Sequence, residues 1–178
     1  MAFSGSLSIS ATARLTRPQD QLLATPFDNL VYSVSQSFAD GDGDDQADAR
    51  WADRRTVSDI ETLNLNDGSL TNAFNDAAEF EAVKLCVIKN RDTAESLLIG
   101  CSPDAPYAAW WGDVSAAYQY FEVPPGGCAV LCGPKDGYDC TGNKAKMQVA
   151  VAGYSSSGVQ SIEYDIIVVG IAVGSSGA

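Results

Sequence analysis

Glu79–Asn90, EFEAVKLCVIKN, is the stretch that decides the fold class. At its centre Leu85-Cys86-Val87-Ile88 is an unbroken apolar run closed by Lys84 and Lys89. So short a run, rich in β-branched residues, predicts a strand covered on both faces. A helix would need a longer segment with an apolar stripe recurring at about 3.6 residues. The natural companion is Ile162–Val173, IEYDIIVVGIAV, and the two together predict the central strands of a β-sandwich.

Outward from this pair the chain reads as short strands divided by turn signals. Thr62–Leu65, Ser96–Ile99, Tyr118–Val123, Cys128–Cys132 and Lys146–Ala152 have strand character, and RDTAE, CSPDAP, PPGG, GPKDG and SSSG separate them. Pro125-Gly126 suits the middle of a type II turn, where proline fixes φ and glycine supplies φ > 0. Leu70–Ala78 predicts a helical turn. No helical pattern of ~10–15 residues alternates with the strands, so a parallel α/β sheet is disfavoured. The expected fold is all-β, an antiparallel β-sandwich of jelly-roll type.

The last strand carries an anomaly. Ile162, Tyr164, Ile166 and Val168 point to one face, and Glu163, Asp165, Ile167, Val169 and Ile171 to the other. The second face begins charged and ends apolar, so Ile167, Val169 and Ile171 need a cover, either the amino-terminal segment or another subunit.

That amino-terminal segment alternates. Leu7, Ile9, Ala11, Ala13 and Leu15 interleave with Ser8, Ser10, Thr12 and Arg14, the period of a half-buried strand. Pro18 and Pro26 interrupt an otherwise weakly helical stretch around Gln19–Ala24, and Asn29–Phe38 reads as a second strand. The polar run ADGDGDDQADARWADRR, from Ala39 to Arg55, lacks the apolar surface to order itself. The expected organisation is an extended arm over 1–60, a sandwich body over 61–173 and a frayed tail over 174–178.

With 178 residues the chain suits one domain able to bury roughly 70% of its unfolded surface. Only 19% of residues are charged, below the usual ~25%, which favours a surface partly covered by a partner. The net charge of −12 repels phosphate backbones and disfavours nucleic acid as a partner. Five cysteines, one inside the central strand, argue for reduced thiols over a disulfide framework. MAFSGSLSIS has no basic segment before an apolar core, so no signal peptide is expected. No apolar run reaches the ~18 residues that span a bilayer, and no membrane partner is expected.

The chain has no histidine, which removes the common Ser-His and Cys-His nucleophiles and His metal sites. No phosphate-binding, nucleophile-elbow or dinucleotide motif is present. Cys128, Cys132 and Cys140 lack the paired short spacings of zinc sites. Asp40-Gly41-Asp42-Gly43-Asp44-Asp45 opens like a calcium loop, but Asp45 and Trp51 stand where glycine and a bidentate glutamate belong. It reads as a solvated turn, with a loose calcium site as the alternative. No enzymatic activity, resident metal or cofactor is expected. The candidate partner-binding residues are Trp51 with Arg50, Arg54 and Arg55, which stand out in so acidic a chain and suit carboxylates on a partner. Trp110 and Trp111 join them: in an extended chain one points inward to the core and the other outward, towards a protein partner or a sugar ring, unless both are packed.

SQSFADGDGDDQADARWADRRTVS (Ser35–Ser58), the run from Glu61 through the central strand to Asn90, VPPGG and the closing YDIIVVGIA resemble virion proteins of tailed bacteriophages. The matching pieces are Phe38–Thr56, Phe80–Lys84, Pro124–Gly127 and Tyr164–Gly170, within a likeness that runs from about Val31 onward. The acidic Asp42–Asp45 and the cysteines depart from that pattern. The resemblance implies a β-sandwich head-decoration (cement) protein on the capsid exterior, made in the host cytoplasm. It further implies the major capsid protein and further copies of itself, as a homotrimer, as partners. The alternative function is a receptor- or carbohydrate-binding module of a tail or fibre.

Overall fold

The computed structural model describes residues 3–16, 27–101, 120–152 and 161–174. Its strands are β1 (Gly5–Thr16), β2 (Phe27–Phe38), β3 (Ala49–Val57), β4 (Ile60–Asn64), β5 (Phe80–Asn90), β6 (Leu97–Cys101), β7 (Tyr120–Val123), β8 (Cys128–Cys132), β9 (Tyr138–Asp139), β10 (Lys146–Val151) and β11 (Ile162–Ala172). Among the described residues there is no α-helix, only a 3₁₀ turn at Gly142–Ala145.

Two antiparallel sheets form the body. One has the order β3-β11-β5-β8, with β9 on the end of β5, and the other β4-β10-β6-β7. Their inner faces share one core. Trp51, Phe80, Cys86, Ile88, Tyr164, Ile166 and Val168 come from the first sheet, and Leu63, Leu97, Ile99, Met147, Val149 and Val151 from the second. Alternation on β11 sends Ile162, Tyr164, Ile166 and Val168 into this core and leaves Glu163 and Ile167 outside. As the sequence predicts, β5 and β11 lie side by side at the centre of their sheet.

The β5–β11 ladder slips twice, between Val169 and Gly170 and again between Ile171 and Ala172. Val169 faces Leu85 but Gly170 faces Val83, so Lys84 is the extra residue of a β-bulge. A Cβ on residue 170 would overlap the Ala82 carbonyl oxygen and sit 3.1 Å from both the Ala82 carbonyl carbon and a Phe80 ring carbon, so only glycine fits. Lys84 is 1% exposed, and its ammonium donates to the carbonyls of Gly43 (3.3 Å) and Pro134 (3.4 Å). The Pro125-Gly126 turn forms as predicted, with Gly126 at φ 67° and the Gly127 N–H donating to the Pro124 carbonyl.

Three expectations need correction. Leu70–Ala78 is not helical: the Asn72 carboxamide oxygen accepts from the N–H groups of Phe74 and Asp76, and Thr71 bridges Ala77. A side chain that takes backbone donors at such short range displaces the helical pattern. Second, the body does not begin at residue 61. Residues 49–57 are β3, paired along β11 from Val57↔Ile162 to Ala49↔Gly170, with Trp51 and Val57 in the core. Third, the acidic segment is ordered by remote partners. The Asp45 N–H donates to the Pro134 carbonyl, Ala47 is wholly buried, and the Lys84 ammonium closes on Gly43.

The two amino-terminal strands pair with each other, antiparallel, from Gly5↔Phe38 to Thr16↔Phe27, and form a separate two-stranded sheet.

Candidate interaction surface

Register and alternation divide the β1–β2 hairpin into two unlike faces. Cross-strand partners share a face, so Leu7 and Gln36, Ile9 and Val34, Ala11 and Tyr32, and Ala13 and Leu30 line one side. Ser6 and Ser37, Ser8 and Ser35, Ser10 and Ser33, and Thr12 and Val31 line the other. One face is apolar and the other is mainly hydroxyl. Among the described residues both faces are exposed beyond the root: Leu30 is 64% exposed, Tyr32 58%, and Ile9 and Val34 are also exposed. The strands carry one basic and one acidic residue, Arg14 and Asp28, in a chain of net charge −12.

The root is fixed to the body. Phe38, Ala47, Leu85 and Val169 are buried together, with Phe3, Leu7, Val87, Val130 and Cys132 packed against them. The acidic loop fastens the same joint: Asp40 accepts from the Phe3 N–H (2.9 Å) and Asp45 from the Gln36 carboxamide (2.7 Å). These carboxylates act as hydrogen-bond acceptors, and among the described residues no group of three or more acidic or cysteine side chains is placed to hold a metal ion.

This packing settles the anomaly of the last strand. Val169 is covered by the hairpin root, so it is no free contact residue. Ile171 is half-buried, and Ile167 remains 44% exposed. Nearby, the charged end of the same outer face is neutralised from within. Arg54 and Arg91 both pair with Asp165, and Arg91 also pairs with Glu163. The Arg54 guanidinium, with Arg91 beside it, lowers the Asp165 pKa, while the hydrogen bonds to Asp165 and then Glu163 raise that of Arg91.

The predicted arginine–tryptophan cluster separates. Trp51 is a core residue, 1% exposed, and not a surface anchor, because β3 places it on the inner face. The Arg55 guanidinium lies 5.9 Å from the centre of the Trp51 ring and donates to Glu61 (2.8 Å) and Asp53 (2.9 Å). Glu61 on β4 also accepts from the Tyr164 hydroxyl (2.7 Å), so this carboxylate ties the two sheets together. The hydrogen bond to Glu61 raises the Arg55 pKa, and burial raises that of Tyr164. Arg54 is held by Asp165. Arg50 alone of the three has no carboxylate partner among the described residues, and it lines an open groove with Phe3, Asp48, Phe74 and Glu79. Trp110 and Trp111 lie outside the described residues.

Sequence reasoning missed the strongest surface feature, the pairing of two weak strands into an amphipathic ribbon. The signal was present: serine recurs at alternate positions in both SLSIS and SVSQS. Cys86 is buried, which pushes its thiol up to about 12 and leaves it unreactive. Comparisons with protein-family models, curated proteins and solved structures find no match. No helix among the described residues is long and apolar enough to cross a membrane.

Proposed function

We propose that the chain is a non-enzymatic structural protein of a tailed-bacteriophage virion, a decoration protein that binds the outer surface of the capsid and bridges its subunits. The observation that carries this reading is the exposed hairpin, a long apolar and hydroxyl surface joined at its root to a sandwich that has a core of its own. A ribbon already paired along its length has met much of the ordering cost of ~1–2 kcal/mol per residue that a disordered arm would meet on docking. Copies on a lattice gain further from multivalency, since each contact raises the effective concentration of the next. The net negative charge suits the outside of a particle that holds nucleic acid. The order β3-β11-β5-β8 facing β4-β10-β6-β7 supports the finer reading of the body as a jelly roll.

Cosedimentation with undecorated heads, across a range of salt, tests the proposal. Ser8 and Ser35 are cross-strand partners, so replacing residues 9–34 by Asn-Gly gives a shortened hairpin that keeps its root. The intact chain should pellet with the heads and the shortened chain should not. An intact chain that stays in the supernatant at every salt concentration overturns the reading.

A further inference from the structure

The apolar face of the hairpin has a relief. On the β1 side Ala11 and Ala13 leave a trough, and directly across the ladder on the β2 side Tyr32 and Leu30 form a ridge. Such a face is complementary to itself: ridge fits trough when two copies meet. Charge points the same way. Two copies of a −12 chain repel each other over most of their surface, yet between Ile9–Ala13 and Leu30–Val34 the ribbon carries no charged residue at all. The contact also continues packing already begun inside the molecule, where Leu7 on this face lies against the Leu85–Val169 cluster.

The geometry points to a two-fold homotypic contact in which the apolar face of β1–β2 packs on the same face of a second copy, with Leu30 and Tyr32 of each seated over Ala13 and Ala11 of the other. The hydroxyl faces then look outward and stay open to a different surface. At ~3.4 Å per residue and roughly 10 Å of width, the face beyond Leu7 spans on the order of 250 Å² per copy. Stable dimers bury about 800 Å² per partner. The contact is therefore weak in dilute solution and effective between copies that a common support holds side by side. It does not depend on head binding, and the two are tested apart.

Sedimentation equilibrium of the full chain from about 1 μM to about 1 mM reads it directly. The mass should rise from one copy towards two and stop there. Leu30→Lys or Tyr32→Lys should abolish the rise, at least a tenfold loss of affinity, while Ser10→Lys on the hydroxyl face should leave it unchanged. Ala11→Trp separates interlocking from general stickiness: it adds apolar surface but fills the trough, so association should weaken. Circular dichroism and thermal unfolding confirm that each variant keeps the body fold. A single-copy mass up to 1 mM, a three-copy plateau, stronger association of Ala11→Trp, or equal loss from Ser10→Lys and Tyr32→Lys would each overturn the proposal, the last by moving the contact to a strand edge. If wild-type association behaves as described and head binding fails, the capsid reading falls and the homotypic contact stands.

Discussion

Gly170→Ala tests the joint on which the hairpin depends. The added methyl has nowhere to go: it would overlap the Ala82 carbonyl oxygen, with the Phe80 ring closing the other side. Backbone cannot rotate away as a flexible side chain can, so β11 must move off β5 at the bulge. Overpacking of this kind costs about 1–3 kcal/mol. The Gly170 carbonyl also accepts from the Asp48 N–H, and the Asp48 carboxylate accepts from the Ala172 N–H. Straining these two adds about 1 kcal/mol, for a total of roughly 2–4 kcal/mol. For a chain of this length each kcal/mol shifts Tm by about 2–4 °C, so thermal unfolding should show a fall of roughly 5–15 °C. Hydrogen exchange should show Phe38 and Ala47 losing protection first, because Asp48 leads directly into their cluster. A fall under about 2 °C, with a urea m-value equal to wild type, would refute the geometry of the bulge.

Trp51→Ala should destabilise by about 3–5 kcal/mol in urea unfolding, whereas Arg50→Ala should stay within about 0.5 kcal/mol, since the first empties the core and the second removes an exposed side chain. Asp139 is held at about 2 by the Lys144 ammonium, with Thr141 assisting. A depressed carboxyl stabilises the fold above its unfolded value near 4 and loses that contribution as pH falls towards 2. Asp139→Asn should therefore flatten the acid limb of a Tm–pH profile between about pH 4 and 2, by under about 1 kcal/mol once solvent screening is allowed for. Tyr164→Phe leaves Glu61 one donor short and should cost about 1–2 kcal/mol in urea unfolding. A glycan array with Trp110→Ala and Trp111→Ala addresses the carbohydrate alternative: the decoration reading expects no signal from wild type, and a signal lost in either variant would reverse the preference.

Much of the body was legible because its signals are local. The apolar run of β5 and the alternation of β11 each specify a strand and a face without help from the rest of the chain. β3 was not legible, because ARWADRRTV shows only Trp51 and Val57 as clear inner residues, and Arg55 stands between them. An arginine on an inner face reads as solvent-exposed until Glu61, Asp53 and the Trp51 ring are seen around it. Lys84 misled in the same way. A lysine ending an apolar run reads as an exit to water, and only the folded chain brings the remote Gly43 and Pro134 carbonyls to its ammonium. The hairpin was half legible: both strands could be read, but their mutual pairing depends on a long-range register that neither strand encodes alone.

Nine residue pairs join β3 to β11, with Ala49 opposite Gly170 at one end and Val57 opposite Ile162 at the other. The hairpin therefore enters the body at the same pole where the last strand leaves it. A pull between the hairpin and a cargo tethered after β11 would peel this seam open pair by pair. A pull between the hairpin and a grip on the opposite pole would load all nine pairs in shear, a far stronger arrangement, so the direction of load decides whether the protein behaves as a zipper or as a strap.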